Sequence, residues 1–195
     1  MGTRERLGVF GGTFDPVHVG HLVGAVEARY QLDLDRVLFV VARDPWQKRG
    51  QVVAPADARF AMVAAAVAGV DGFEASTLEL DRSGPTYTID TVADLAAAHR
   101  DLFLIVGADA AAGLDTWKRA EDLREAVTVA MLARATDTAL EPLIGWDVRP
   151  VTMPRLDVSS TALRDRLARG APVDFLVPPG AIRVIRERRL YTPDA

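Results

Sequence analysis

Cysteine does not occur in this 195-residue chain. Its absence excludes a disulfide framework and weakens any zinc reading, since cysteine and histidine are the usual ligands. Histidine occurs three times, and His99 lies far along the chain from His18 and His21, so no third imidazole completes a metal set. Lysine is scarce, with only Lys48 and Lys118 among 23 basic residues. Alanine and arginine dominate instead. That bias reflects base composition more than function, but it makes the position of each lysine informative. Long apolar runs are missing too. The start Met1-Gly2-Thr3-Arg4-Glu5-Arg6 carries charges of both signs with no apolar region behind it, so neither a signal peptide nor a membrane span is expected, and the expected compartment is the cytoplasm. A net charge of −4 gives no reason to expect a nucleic-acid or membrane partner.

What is present has the balance of a globular protein. Hydrophobic residues make up 49% and charged residues 26%, over a length that suits one domain, residues 1–195, with a sizeable core. Short apolar runs of β character lie at 7–10, 36–41, 102–106, 128–132 and 148–153. Helical patterns lie between most of them. Leu22, Val26 and Tyr30 recur every four residues as one helix face. Residues 55–68 carry Phe60, Val63 and Val67 as a stripe, with Pro55 suited to a first turn. Thr88 is expected to cap a helix over 89–98, and Asp115 or Thr116 to start one ending near Ala126. Ser160 is expected to cap 161–169, stopped at Gly170, and Pro178-Pro179 to open a last helix through Arg188. Strands alternating with helices predict an α/β fold, a Rossmann-like doubly wound parallel sheet with right-handed crossovers. The portion 159–195 reads as helical.

Chemistry concentrates at Gly11-Gly12-Thr13-Phe14-Asp15-Pro16-Val17-His18-Val19-Gly20-His21. This string joins the first apolar run to the first helical pattern. In an open parallel sheet that is the carboxyl end of a strand, where ligands bind. A helix start there offers unpaired N–H groups and a positive dipole end, both favourable to phosphate. With a helix beginning near Val17, His18 and His21 fall one turn apart on one face, able to donate hydrogen bonds to phosphoryl oxygens. Gly20 between them leaves room for a ligand. The plain alternative is a surface helix start with histidines beside a turn.

The eleven-residue string resembles the signature of the nicotinate-mononucleotide adenylyltransferases, a Gly-Gly-Thr-Phe-Asp-Pro lead-in followed by His-x-Gly-His. The tetrapeptide alone also has relatives in class I aminoacyl-tRNA synthetases, which need a far longer chain. The resemblance extends from about Val9 to Arg164. It includes Val158-Ser159-Ser160-Thr161-Ala162-Leu163-Arg164, similar to Ile-Ser-Ser-Thr-x-x-Arg with valine for isoleucine. Three hydroxyls at a helix start with an arginine one turn inside are good phosphate ligands in their own right, though the same residues also make an ordinary cap.

The resemblance implies adenylyl transfer from ATP to nicotinate mononucleotide, giving deamido-NAD and pyrophosphate in NAD biosynthesis. It implies that Gly11, Gly12, Thr13, Phe14, His18, His21, Ser159, Ser160, Thr161 and Arg164 hold ATP, the last three from the side opposite the histidines. Gly107 and Asp109 would hold the adenosine ribose, and Thr86, Tyr87 and Trp117 would frame the pyridine ring. The plain alternatives are a helix N-cap for Asp109 and a half-buried packing role for Trp117. Many relatives carry a Pro-Pro-His-Lys loop, and here the corresponding residues read Pro45-Trp46-Gln47-Lys48. The histidine is missing, but Lys48 is kept to meet triphosphate charge. His18, His21, Lys48 and Arg164 are thus the expected catalytic set. Magnesium is expected on the ATP phosphates and not in a protein cage. Oligomeric state stays open. The competing functions are a related adenylyltransferase acting on the amidated mononucleotide or on phosphopantetheine, and a catalytically silent nucleotide-binding protein on the same fold.

Overall fold

The computed structural model describes residues 4–45, 53–97, 99–134 and 143–192. In chain order the elements are β1 (Glu5–Gly12), α1 (Val19–Gln31), β2 (Arg36–Val41), α2 (Ala56–Val67), β3 (Phe73–Ser76), α3 (Thr88–Leu95) and β4 (Arg100–Gly107). They continue with α4 (Ala108–Ala111), α5 (Ala120–Ala126), β5 (Thr128–Arg134), β6 (Val148–Met153), α6 (Ser160–Ala168) and α7 (Pro179–Glu187). The six strands form one sheet in the order β3-β2-β1-β4-β5-β6. Its β1–β4, β4–β5 and β5–β6 pairs are parallel. This is the expected Rossmann-like doubly wound sheet, and its order reverses at β1 and β4, the position where such sheets bind ligands at their carboxyl ends.

Contacts gather into two compact units. The first comprises 1–11, 23–38 and 87–155, and the second 12–22, 39–86 and 156–195. In the first unit Leu7, Val9, Leu104, Ile105, Val129 and Val151 are buried strand residues. Gly8 is required here, because a Cβ would come within 2.9 Å of the Leu34 side chain and 3.0 Å of Ile105. At the strand starts Glu5 accepts from Arg36 at 2.8 Å and from Arg100 at 2.6 Å. The bond from Arg100, then that from Arg36, hold the Glu5 carboxyl below its ordinary pKa against the opposing effect of burial.

The apolar stripe read on α1 does not face the core. Val26 is 48% and Tyr30 79% exposed, while Gly24, Ala25 and Ala28 are buried. A Cβ on Gly24 would lie 2.7 Å from Leu132, so close approach of backbone to side chain selects the small-residue face over the larger apolar one. Asp115 and Thr116 do not start a long helix. They sit in a 3-10 turn, Leu114–Thr116, and α5 begins only at Ala120. The Asp115 carboxylate instead accepts from the Trp146 indole and from Arg124, both at 2.9 Å.

In the second unit α2 buries Ala58, Arg59, Met62, Val63 and Val67, with Phe60 only partly covered. It packs on α7 closely enough that a Cβ on Gly180 would meet the Ala65 carbonyl oxygen at 2.3 Å. Pro178 precedes α7 and Pro179 occupies its first turn as expected. Gly170 ends α6 with a φ of +67°, a left-handed stop that suits glycine. The strand β3 carries no clear alternation in sequence and was not anticipated. Thr88 is the first residue of α3, not its cap, and α3 ends at Leu95, short of Ala98.

Candidate active site

The second unit brings together the first motif from Gly12 onward and the whole of the second. β1 ends at Gly12, and Phe14 turns the chain with a φ of +51°. The Phe14 ring lies over Gly12, where a Cβ would approach it to 2.8 Å. That contact explains the glycine, and the Phe14 ring in turn packs against Phe39 at 5.8 Å and edge-on to His21 at 5.0 Å.

α1 begins at Val19, two residues later than expected. The Val19 N–H donates to the Leu176 carbonyl at 2.9 Å, and His21 and Leu22 donate to the His18 carbonyl. His18 therefore stands where a cap would, and His21 is in the first turn. Their rings stack, with centroids 3.7 Å apart and 29° between planes. The His18 backbone N–H donates to His21 Nδ1 at 3.2 Å. Nδ1 must then be an acceptor, which puts the proton of a neutral ring on Nε2 and makes that atom a donor. Gly20 has a nearer reason than ligand access: a Cβ there would crowd the His18 ring and Val158 Cγ1, each at 3.1 Å.

α6 is capped by Ser159 and not by Ser160, the Ser159 hydroxyl accepting from the Ala162 N–H at 3.2 Å. The Ser160 hydroxyl is left to reach the first motif, donating to the Pro16 carbonyl at 3.0 Å. Arg164 does the same from one turn inside. Its Nη1 donates to the Asp15 carbonyl at 2.8 Å, while Nη2 lies 3.4 Å from the Thr161 hydroxyl. Two segments about 145 residues apart in sequence are thus bolted together by a hydroxyl and a guanidinium.

Three further residues build this corner. Asp15, 2% exposed, accepts from Val53 N–H at 2.8 Å, Ala54 N–H at 3.1 Å and the Tyr191 hydroxyl at 2.6 Å. Its carboxylate also lies 3.8 Å from Arg164. Burial pushes the Tyr191 phenol far above its ordinary pKa, and its bond to Asp15 adds to the shift. Arg59, fully buried, donates to the carbonyls of Thr13, Ala42, Arg43 and Ala54. Burial lowers its pKa, and the Asp15 charge opposes that. Tyr191, in the portion that the sequence marks only as helical, joins this corner through its bond to Asp15. Arg59 had left a trace, since it shares one helix face with Met62 and Val63 at the spacing of buried residues. Tyr191 had left none.

The other expected residues divide as follows. Lys48, with Trp46 and Gln47, lies outside the described residues. Thr86 is buried in the second unit. In the first unit, Gly11, the next-to-last residue of β1, and Gly107, the last of β4, each have open space where a Cβ would stand. Asp109 is exposed in the first turn of α4, whose cap is Gly107, so it is not an N-cap. Tyr87 precedes α3 without a capping side chain. Trp117 follows the 3-10 turn, half-buried, and its indole nitrogen has no hydrogen-bond partner among the described residues. The lysine beside it had been left without a role. Lys118 Nζ sits 3.9 Å from the centre of the Tyr87 ring and 3.8 Å from the Asp90 carboxylate.

No group of three His, Asp or Glu side chains is placed to hold a metal among the described residues. A cavity of about 670 Å³ opens at the opposite strand ends, lined by Arg4, Arg6, Arg100 and Arg149 among others. Its arginines are already engaged with carboxylates or carbonyls, and it contains none of the expected site residues. No helix among the described residues is long and apolar enough to cross a membrane.

Comparison with known proteins agrees with this geometry. The Cytidylyltransferase-like family model matches residues 9–166. A protein of Corynebacterium kroppenstedtii named "Probable nicotinate-nucleotide adenylyltransferase" is 42% identical over 194 residues, covering 96% of this chain and 92% of its own. One of the same name from a Nocardioides species is 45% identical over 190 residues, covering 93% and 91%. Among solved structures, Plasmodium falciparum nicotinic acid mononucleotide adenylyltransferase complexed with APC superposes with a TM-score of 0.75 at 17% identity, covering 96% and 97%. The same enzyme complexed with NaAD gives 0.74 at 18%, with the same coverage. At that identity the structures speak to fold, while the sequence relatives and the family model, which spans both motifs, place the chain by descent. The chain belongs to the Cytidylyltransferase-like family, within its nicotinate-nucleotide adenylyltransferases.

Proposed function

We propose that this chain transfers the adenylyl group of ATP to nicotinate mononucleotide, releasing pyrophosphate and forming deamido-NAD. The 5′-phosphate of the mononucleotide attacks the α-phosphorus in line, the new P–O bond forms, and the bond to pyrophosphate breaks. The nucleophile is already an anion at neutral pH, so no general base is needed. Catalysis reduces to positioning two polyanions and neutralising charge on the leaving group.

The observation that carries this reading is the junction of the two motifs through Arg164 to Asp15 and Ser160 to Pro16. It sets the first turn of α1, with its stacked imidazoles, and the capped start of α6 on one corner of the second unit. His21 Nε2, the Thr161 hydroxyl and the outer edge of Arg164 are the donors for phosphoryl oxygens. Thr86, Tyr87 and Trp117 are assigned to the pyridine end, Gly107 and Asp109 to the adenosine ribose, and Lys48 to triphosphate charge. Magnesium, carried on the ATP phosphates, would supply further neutralisation of the leaving group.

Pyrophosphate release from ATP and magnesium, measured in parallel with nicotinate mononucleotide, its amide and phosphopantetheine, tests the assignment. Release with the nicotinate compound well above the other two is expected. Preference for another acceptor would reassign the substrate. ATP binding with no release from any acceptor would leave a silent nucleotide-binding protein.

A further inference from the structure

Of the two lysines in the chain, Lys118 is the one whose position the structure describes, and nothing in the phosphate chemistry uses it. Its ammonium stands 3.9 Å above the Tyr87 ring and 3.8 Å from Asp90. The ammonium is half exposed, and the preceding residue, Trp117, keeps a buried indole N–H with no partner among the described residues. Two aromatic side chains, an unsatisfied indole donor and a cation thus occur on two neighbouring stretches of the first unit, at Tyr87 and at Trp117-Lys118. A flat ring needs aromatic surface. An anionic substituent on that ring needs a donor and a positive charge. An uncharged amide substituent needs the donor but gains nothing from the charge.

We infer that Lys118 is a specificity-determining residue, its ammonium favouring a pyridine ring that bears a carboxylate over one that bears an amide. The inference rests on the assignment of Tyr87 and Trp117 to the pyridine end. Tyr87 fixes the ammonium from below by a cation–π contact. Asp90 holds it from the side but at a distance and exposure where the pairing is weak, so the charge stays available to a ligand. The selectivity is electrostatic and should be screened by salt.

The test compares the full chain with Lys118→Met and Lys118→Arg. The first readout is kcat/KM for nicotinate mononucleotide and for its amide. The second is equilibrium binding of the same two compounds without ATP, followed by tryptophan fluorescence. Lys118→Met is expected to lower both kcat/KM and affinity for the acid by about 5- to 10-fold, the effect of losing one partly exposed charge. The amide should be unchanged, and Lys118→Arg should retain most of the preference. The difference between acid and amide should shrink as salt is raised. Equal loss for both compounds, or no loss for either, overturns the inference. A wild-type chain that binds the acid in preference to the amide, loses that preference in Lys118→Met, yet releases no pyrophosphate would refute the transfer activity while keeping the role of Lys118. A wild-type chain that binds neither compound refutes both.

Discussion

His21→Asn separates what His21 does for the fold from what it does for the reaction. The ring has two jobs at two atoms. Nδ1 accepts the His18 backbone N–H at 3.2 Å, which fixes the first turn of α1, and Nε2 carries the proton of a neutral ring and is the atom proposed to donate to phosphate. The carbonyl of an asparagine side chain reaches about as far as Nδ1, so it can take over the internal bond. Nothing in that side chain reaches the position of Nε2. The substitution therefore keeps the turn and deletes one preorganised donor from the proposed phosphate site. Removing such a donor typically costs about 10²–10³ in turnover, or about 2.7–4 kcal/mol of transition-state stabilisation. Glutamine is the complementary change, since its longer side chain sets an amide near Nε2 and abandons the bond to His18. It should recover about 10-fold of the loss.

The assay is pyrophosphate release at saturating ATP and nicotinate mononucleotide, with the melting temperature recorded for each variant. The expected pattern is a large fall in kcat for His21→Asn with a small change in KM and in melting temperature. If His21→Asn kept turnover near that of the unaltered chain, His21 would not be a leaving-group donor, and the reading of the first motif would fail. A rise in KM for ATP with kcat unchanged would mean that the imidazole binds ground state and transition state equally.

Three other perturbations follow from the same geometry. Arg164→Ala should weaken ATP and pyrophosphate by about 10-fold or more while leaving affinity for the mononucleotide nearly unchanged, because a charge-assisted donor is lost on one side only; titration calorimetry with each ligand distinguishes the cases. Tyr191→Phe should cost about 2 kcal/mol, or about 4–8 °C in melting temperature, since a buried carboxylate loses a donor. The Tyr191 phenol is raised above its ordinary value of 10.0, so its contribution is complete below about pH 10 and lost as pH rises further; the variant should show a smaller alkaline loss of stability than the unaltered chain. Glu5→Gln removes a carboxylate whose pKa lies below 4.5. Its stabilisation, about 1 kcal/mol for a partly exposed double pair, is present at neutral pH and lost as pH falls through the lowered value; melting curves of the two proteins should converge as the medium is made more acid than that value.

The sheet was legible because its strands announce themselves as short apolar runs with β-branched residues between helical patterns, and 36–41 and 148–153 match their strands end to end. The missed strand, Phe73–Ser76, is four residues with only Ser76 buried, so no pattern marks it. Helix starts were harder. Ser159 and Ser160 are chemically identical, and which one caps depends on where the other can reach. The Pro16 carbonyl takes Ser160, a contact no local signal carries. The α1 stripe failed for a related reason. Leu22, Val26 and Tyr30 satisfy a helical period, but burial went to Gly24, Ala25 and Ala28, the face on which Leu132 leaves no room for a Cβ at Gly24. Both motifs could be singled out from their residues and are joined in the structure, while Asp15, Arg59 and Tyr191 act through packing across distant segments.

Asp15 raises the question of why a carboxylate is buried at the centre of the site we propose for a polyanion. Two guanidiniums converge there. Arg59 is wholly enclosed, with four backbone carbonyls as partners, and Arg164 keeps 18% of its side chain exposed. Without a countercharge, a guanidinium taken out of water costs several kcal/mol. Asp15 supplies that countercharge, while its three hydrogen-bond partners, two backbone N–H groups and the Tyr191 phenol, satisfy its two oxygens, with Arg164 further off at 3.8 Å. The geometry divides Arg164 between two tasks. Nη1 donates to the Asp15 carbonyl, which fixes the position of the head group, and Nη2, with its weak contact to Thr161 at 3.4 Å, is the atom we propose for a phosphate. Asp15→Asn tests this division, because it removes the countercharge and turns one acceptor into a donor facing N–H groups. It should cost about 3–5 kcal/mol of stability, the range for breaking a buried pair. The loss of affinity for ATP should exceed the loss for the mononucleotide, since the displaced group is Arg164. Equal losses for the two ligands in a variant that still folds would mean that Asp15 holds the fold but does not aim the guanidinium.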